Sequence, residues 1–356
     1  LLQAKLFSQD SLKSKKLFFP QVIEINSGYG IIAKHRPIVD YFITGHVPSV
    51  NVNFGRIMSG KQEWQRKYNY PELGVGFYYA NFNNKYLGES YTFYAYTKLP
   101  FTKYEKPVFG YFDLGLGVSY ITKPFNIENN YYNIIIGSHL NAYLRIGVLA
   151  EIKIAKNISL VSGLSLNHSS NSKVKTPNLG VNVLSYNLGF KYFLLKNEFE
   201  KHNEIDDYKK NNSYFLTFSM GAKSVSKPEN PIYLASSLVF DYNRNISFKS
   251  AFGAGIDVFF DKSLEYYYIQ SSIPYKKIIN DFQVGAHGAY VLKFNKVWFN
   301  FNLGYYIIDN LNLQGKIYSR IATRASIYKN IYLSIGMKTH FAKADLLEIG
   351  LGYKLK

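Results

Sequence analysis

The chain has 356 residues, no cysteine, a formal net charge of +18, and 33 Tyr and 27 Phe against only 19% charged residues. The missing cysteine excludes a thiol nucleophile and thiolate metal sites, and no window approaches the ~18 uninterrupted apolar residues that a membrane-spanning helix needs. Lys and Arg lie scattered at turns rather than striped along a helix, which argues against nucleic acid as a partner.

In chain order, residues 1–20 lack alternation and carry Lys13, Lys15 and Lys16, so they are predicted to be an N-terminal segment outside the fold. The opening Leu1-Leu2-Gln3, without a methionine, suggests a processed product whose export signal has gone. Alternating segments follow at about 22–34, 45–57, 73–83, 90–100, 107–121, 136–154, 158–170 and 180–195. A charged stretch at 196–212 separates them from a second set, at about 213–223, 231–243, 246–260, 281–294, 296–307, 315–327, 330–341 and 344–356. Amphipathic strands with aromatic ends and polar turns point to an antiparallel outer-membrane β-barrel. Connections such as Ala155-Lys156-Asn157 and Asn295-Lys296 are minimal, whereas 58–72, 122–135, 171–179 and 261–280 are long. That asymmetry is expected of short turns on one side of a membrane and loops on the other. Economy favours a single closed barrel of about 16 strands; two tandem eight-stranded barrels are the alternative.

The halves also resemble each other. YLRIGVLAEI at 143–152 matches YSRIATRASI at 318–327, KNISL at 156–160 matches KNIYL at 329–333, and NLGFKYFL near 187–194 matches EIGLGYKL near 348–355. This pattern suggests duplication of a barrel unit. The predicted organisation is an N-terminal segment (1–20), a first barrel half (21–195), a linker (196–212) and a second, non-catalytic half (213–356).

The chemistry concentrates in the strand–loop–strand from Gly163 to Tyr192. Side chains alternate faces along a strand, so Leu164, Leu166, His168 and Ser170 share one face, as do Asn182, Leu184, Tyr186 and Leu188 on the next strand. A histidine two residues before a serine is close enough for its imidazole to take the hydroxyl proton, and an amide from the paired strand can orient the ring. The remaining histidines, His35, His46, His139, His202, His287 and His340, show no metal spacing and read as structural or solvated.

The run His168-Ser169-Ser170-Asn171, followed by Pro177-Asn178-Leu179-Gly180, resembles the H-x-S-N…P-N-x-G signature of outer-membrane lipid A 3-O-deacylases of the PagL type. It looks most like the longer, acyloxyacyl-hydrolase-like versions found in Bacteroidetes. The stretches Tyr29–His35 and Ile136–Asn141 resemble recurring pieces of those relatives. The resemblance implies an eight-stranded barrel unit with its catalytic residues outside, facing lipid. It implies a serine esterase needing no metal or cofactor, with Ser170 as nucleophile, His168 as base, and lipid A of lipopolysaccharide as substrate. The family's glutamate, twelve residues after the serine, falls here on Asn182. That residue can hold a tautomer but not stabilise an imidazolium by charge, so reduced activity is expected. Asn178 matches a family asparagine associated with the oxyanion hole; Asn171 is a second candidate or a turn-holder. The acyl chain would lie along Leu166, Leu184 and Tyr186, with substrate phosphates and sugars near Lys173 and Lys175. The contrasting expectation is a non-enzymatic barrel, a channel or a structural remnant.

Overall fold

A computed structural model describes residues 20–102, 106–172, 174–195, 199–200, 208, 210–225, 232–341 and 343–355. The expected N-terminal segment and most of the linker lie outside the described residues. Eight strands make a first barrel: β1 (Val22–Ile32), β2 (Val47–Ile57), β3 (Glu72–Asn81), β4 (Glu89–Pro100), β5 (Val108–Ile121), β6 (Leu140–Ala155), β7 (Ile158–Ser170) and β8 (Val181–Phe193). Eight more make a second: β9 (Asn211–Ser224), β10 (Ile232–Asn245), β11 (Ser250–Asp261), β12 (Phe282–Phe294), β13 (Val297–Ile308), β14 (Ile317–Tyr328), β15 (Ile331–His340) and β16 (Lys343–Lys354).

The single 16-stranded barrel is therefore wrong, and the tandem alternative describes the fold. β1 pairs with β8 from Val22↔Phe193 to Ile32↔Val183, and β9 pairs with β16 from Phe215↔Lys354 to Met220↔Ile349, so each sheet closes on itself. The physical reason lies in what each interior holds. An eight-stranded barrel is just wide enough to be filled by side chains, whereas 16 strands enclose an aqueous channel. Here the inward residues complete their charge networks within each barrel. In the first, Lys191 meets Glu151 at 2.5 Å and Glu72 at 2.9 Å, Lys98 pairs with Glu24, and Arg145 meets Asp113 at 2.8 Å. In the second, His287 lies between Asp257 (2.6 Å) and Asp241 (2.9 Å), and Arg320 meets Glu348 at 2.6 Å. Buried charges survive only when paired in this way.

The outer faces are apolar. Along β7 and β8, Leu164, Leu166, Leu184, Tyr186, Leu188 and Phe190 are exposed, while Ser165, Asn167, Ser185 and Asn187 are buried inside. This inverts the soluble pattern and suits a wall surrounded by lipid, where closing the ladder pairs backbone groups that lipid could not satisfy. The segments that repeat in sequence occupy matching places: β6 and β14, the turns that follow them, and β8 and β16.

Loop lengths depart from expectation at one point. The 58–72 segment follows β2 and so lies with the short turns, not with the long loops. It contains helix α1 (Glu63–Lys67), and its Trp64 and Tyr68 rings pack on Phe294 of the second barrel at 5.1 and 4.8 Å. At the opposite, loop end, Ser172 Oγ lies 3.5 Å from Met337 Sδ. The two barrels thus stand side by side with their loop ends together, touching near both rims.

Candidate active site

The register of β7 against β8 sets His168 opposite Asn182. Both side chains point outward at the loop end, and His168 Nδ1 lies 2.6 Å from Asn182 Oδ1. An amide oxygen only accepts, so Nδ1 carries the proton and Nε2 presents its lone pair. That lone pair faces Ser170 Oγ at 3.0 Å. Serine, histidine and asparagine are thereby linked in line by geometry that parity alone implied.

A fourth member was missed in the sequence. His35, just beyond β1, places Nδ1 3.1 Å from Asn182 Nδ2 and Nε2 3.1 Å from the Leu179 carbonyl. With Nε2–H donating to that carbonyl, Nδ1 accepts from Asn182, which fixes which way the amide is turned. The expectation that His35 is merely structural or solvated gives way to contact with the site. Its signal was its place at the end of the Tyr29–His35 stretch; what hid it was the separation along the chain, bridged only when β1 pairs with β8.

The loop between β7 and β8 is tied down from both ends. Asn171 Nδ2 donates to Ser138 Oγ and to the Lys175 carbonyl, each at 2.8 Å. Both its amide protons are thus spent, one within the loop and one on the stretch before β6, which favours turn-holding over an oxyanion role. Asn178 Oδ1 accepts from the Asn171 N–H at 3.0 Å, and Asn178 lines the same cleft as His168 and Ser170. Its Nδ2 has no hydrogen-bond partner among the described residues. The loop leans on the strand-like stretch before β6, where Ile136 bridges to Asn178 and Leu179 N–H donates to the Ile135 carbonyl at 2.8 Å. Gly180 has a φ of +79°, and a Cβ there would sit 2.9 Å from His168 Cε1. Only glycine allows that backbone to pass so close to the imidazole.

Ser170 is 5% exposed although it is on the outward face. The cleft around it has a volume of about 130 Å³ and is walled on its far side by residues of the second barrel. Of the expected substrate contacts, Leu166, Leu184 and Tyr186 form an exposed apolar strip below the cleft. Lys173 lies outside the described residues. Lys175 faces a different groove, shared with Lys85, Lys123 and His139, and is not brought into the cleft.

The family model for lipid A 3-O-deacylase (PagL) matches residues 49–191, and that for the acyloxyacyl hydrolase C-terminal domain matches residues 212–356. The first match falls within the first barrel and the second on the second. No curated protein matches the chain. Solved structures similar to it include the outer membrane enzyme PagL, at 20% identity over 48% of this chain and 98% of that one, with a TM-score of 0.33. Neisserial surface protein A (NspA) is similar at 12% identity over 48% of this chain and 96% of that one, with a TM-score of 0.32. The chain belongs to the PagL-type family of outer-membrane lipid A 3-O-deacylases, in a long form that adds the acyloxyacyl hydrolase C-terminal domain.

Proposed function

We propose that the protein is an outer-membrane serine esterase that removes an ester-linked acyl chain from lipid A, using Ser170 as nucleophile and His168 as base. The single observation that carries this reading is the aligned Ser170–His168–Asn182 chain, at 3.0 and 2.6 Å, on a lipid-facing surface. His168 Nε2 takes the hydroxyl proton as Ser170 Oγ attacks the ester carbonyl. The resulting oxyanion lies toward Asn178, whose Nδ2–H supplies a donor where negative charge develops. Collapse breaks the bond to the sugar oxygen, which leaves as a hydroxyl with the proton from His168. Water then attacks the acyl-enzyme with His168 again as base, releasing fatty acid and restoring Ser170.

Asn182 keeps the productive tautomer, and His35 holds Asn182. Neither supplies a negative charge behind the imidazole, so turnover is expected below that of a site with a carboxylate there. The acyl chain lies along Leu166, Leu184 and Tyr186, and the loop end faces the outer leaflet, where the substrate resides. The packed charge networks inside the first barrel count against a channel.

Mass spectrometry of lipid A from cells making the wild-type protein or Ser170→Ala tests the proposal. Loss of one acyl chain with wild type alone is the expected result. Unchanged lipid A in both, with both proteins folded in the outer membrane, would sink it and leave a structural remnant.

A further inference from the structure

The second barrel contains none of the serine–histidine–asparagine chain, yet it lines the cleft. Its Met337, Thr339, Lys343 and Ala344 face His168 and Ser170. Along the outward face of β15, Leu333 and Ile335 are exposed to the surroundings, whereas Thr339 is 9% exposed. Its strand turns from lipid to the first barrel between Ile335 and Thr339. The ladder between β15 and β16 shifts register between Lys338 and Thr339. Such a bulge re-aims side chains. Asp345 turns inward to Lys223 and Lys338, at 3.0 and 3.2 Å, and Lys343 and Ala344 are left at the cleft.

The charge of this cleft is one-sided. Arg36 enters from the first barrel and Lys343 from the second, and among the described residues no Asp or Glu lines the cleft. Neither cation makes an ion pair with another described residue. The buried cations Lys98, Arg145, Lys191 and Arg320 each pair with a carboxylate inside their own barrel, whereas Arg36 and Lys343 stand at the cleft without one. Two cations left without carboxylates, on opposite walls beside a nucleophile, are suited to an anion carried by the molecule being cleaved.

We propose that the cleft between the barrels is a phosphate subsite for the acylated glycolipid, with Arg36 and Lys343 as its two cations and the second barrel as its far wall. The inference rests on the esterase reading for the identity of the lipid, but not for the binding itself. The phosphate is borne on the lipid, so its charge fixes the headgroup at the rim while the apolar strip below takes the acyl chain. Guanidinium offers two donors to phosphate and the ammonium acts as a point charge. The second barrel is then a specificity element rather than a passive repeat.

The test uses the full chain in detergent micelles and two ligands, lipid A and the same lipid A with its phosphates removed. Binding is measured with the Ser170→Ala background, so turnover does not enter. Wild-type side chains at 36 and 343 should favour the phosphorylated lipid at least tenfold. Lys343→Glu and Arg36→Glu should each abolish that preference and leave binding of the dephosphorylated lipid within twofold. Millimolar inorganic phosphate should not displace the lipid. Equal binding of the two lipids, equal loss for both in the variants, or displacement by inorganic phosphate alone would overturn the proposal. If the preference is present but the active chain hydrolyses neither lipid, the subsite stands and the esterase reading falls.

Discussion

The ends of β7 and β15 are corresponding places in the two barrels, and their histidines differ by a single residue of phase. In the first copy, Asn167 points inward, where its Oδ1 accepts from Arg145 at 2.9 Å, and His168 points out to the lipid-facing side. In the second, the histidine is His340, and it points in. It is buried and its Nε2 lies 3.1 Å from Tyr306 Oη. A strand has a side-chain period of two, so one step moves a histidine from the outer wall to the barrel interior. The copies then diverge further. The first carries a ten-residue connection, held by Asn171, Asn178 and Gly180, between β7 and β8, whereas the second turns back from His340 to Lys343. Two barrels of the same strand count thus carry the candidate site in one and not in the other, and they differ there in both phase and loop.

Beyond the loss expected for Ser170→Ala, the largest effect should come from the loop that the second barrel lacks. Asn178→Asp keeps an oxygen to accept the Asn171 N–H but removes the Nδ2 donor and adds charge beside the developing oxyanion. It should lower kcat about 10²- to 10³-fold with KM little changed, measured by fatty-acid release from purified lipopolysaccharide. A rise in KM alone would mean that Asn178 binds substrate instead.

A smaller effect is expected from the residues that orient His168. Asn182→Ala removes one hydrogen bond from the imidazole and should reduce kcat roughly tenfold, and His35→Ala should act in the same direction through Asn182. Asn182→Asp keeps the oxygen facing Nδ1 and adds a negative charge behind the imidazole, so it should raise kcat and shift the pH profile upward by favouring the protonated ring. A pH profile unchanged in Asn182→Asp would mean that Asn182 acts only as a strand residue. The smallest effect is the sharpest control on the comparison: His340→Ala should lose packing against Tyr306 yet leave turnover per folded molecule unchanged. A tenfold fall there would show that the second copy takes part in the chemistry.

Much of the candidate site's geometry was legible because the period of a strand fixes which way its side chains point. Alternation alone placed His168 and Ser170 on the apolar face, and antiparallel pairing of the next strand brought Asn182 opposite. The loop signature has a physical content that only the structure displays, since Gly180 is where a side chain would strike the imidazole. His35 was not legible. It reaches Asn182 from 147 residues away, and only the seam between β1 and β8 makes them neighbours. Lys175 failed for the converse reason: near in sequence, it turns from the cleft into another groove.

The sequence by itself determined an all-β membrane-barrel protein with an apolar outside and a polar inside, because alternation and aromatic ends are local properties. Where the sheet closes was decided only by tertiary structure. Sixteen amphipathic strands can close once or twice with the same local pattern, and the choice depends on long-range pairing of first with last strand around a filled interior. The same holds for the cleft. Lys343 and Ser170 lie on different barrels, and the contacts between those barrels, near both rims, set them on opposite walls of one small space.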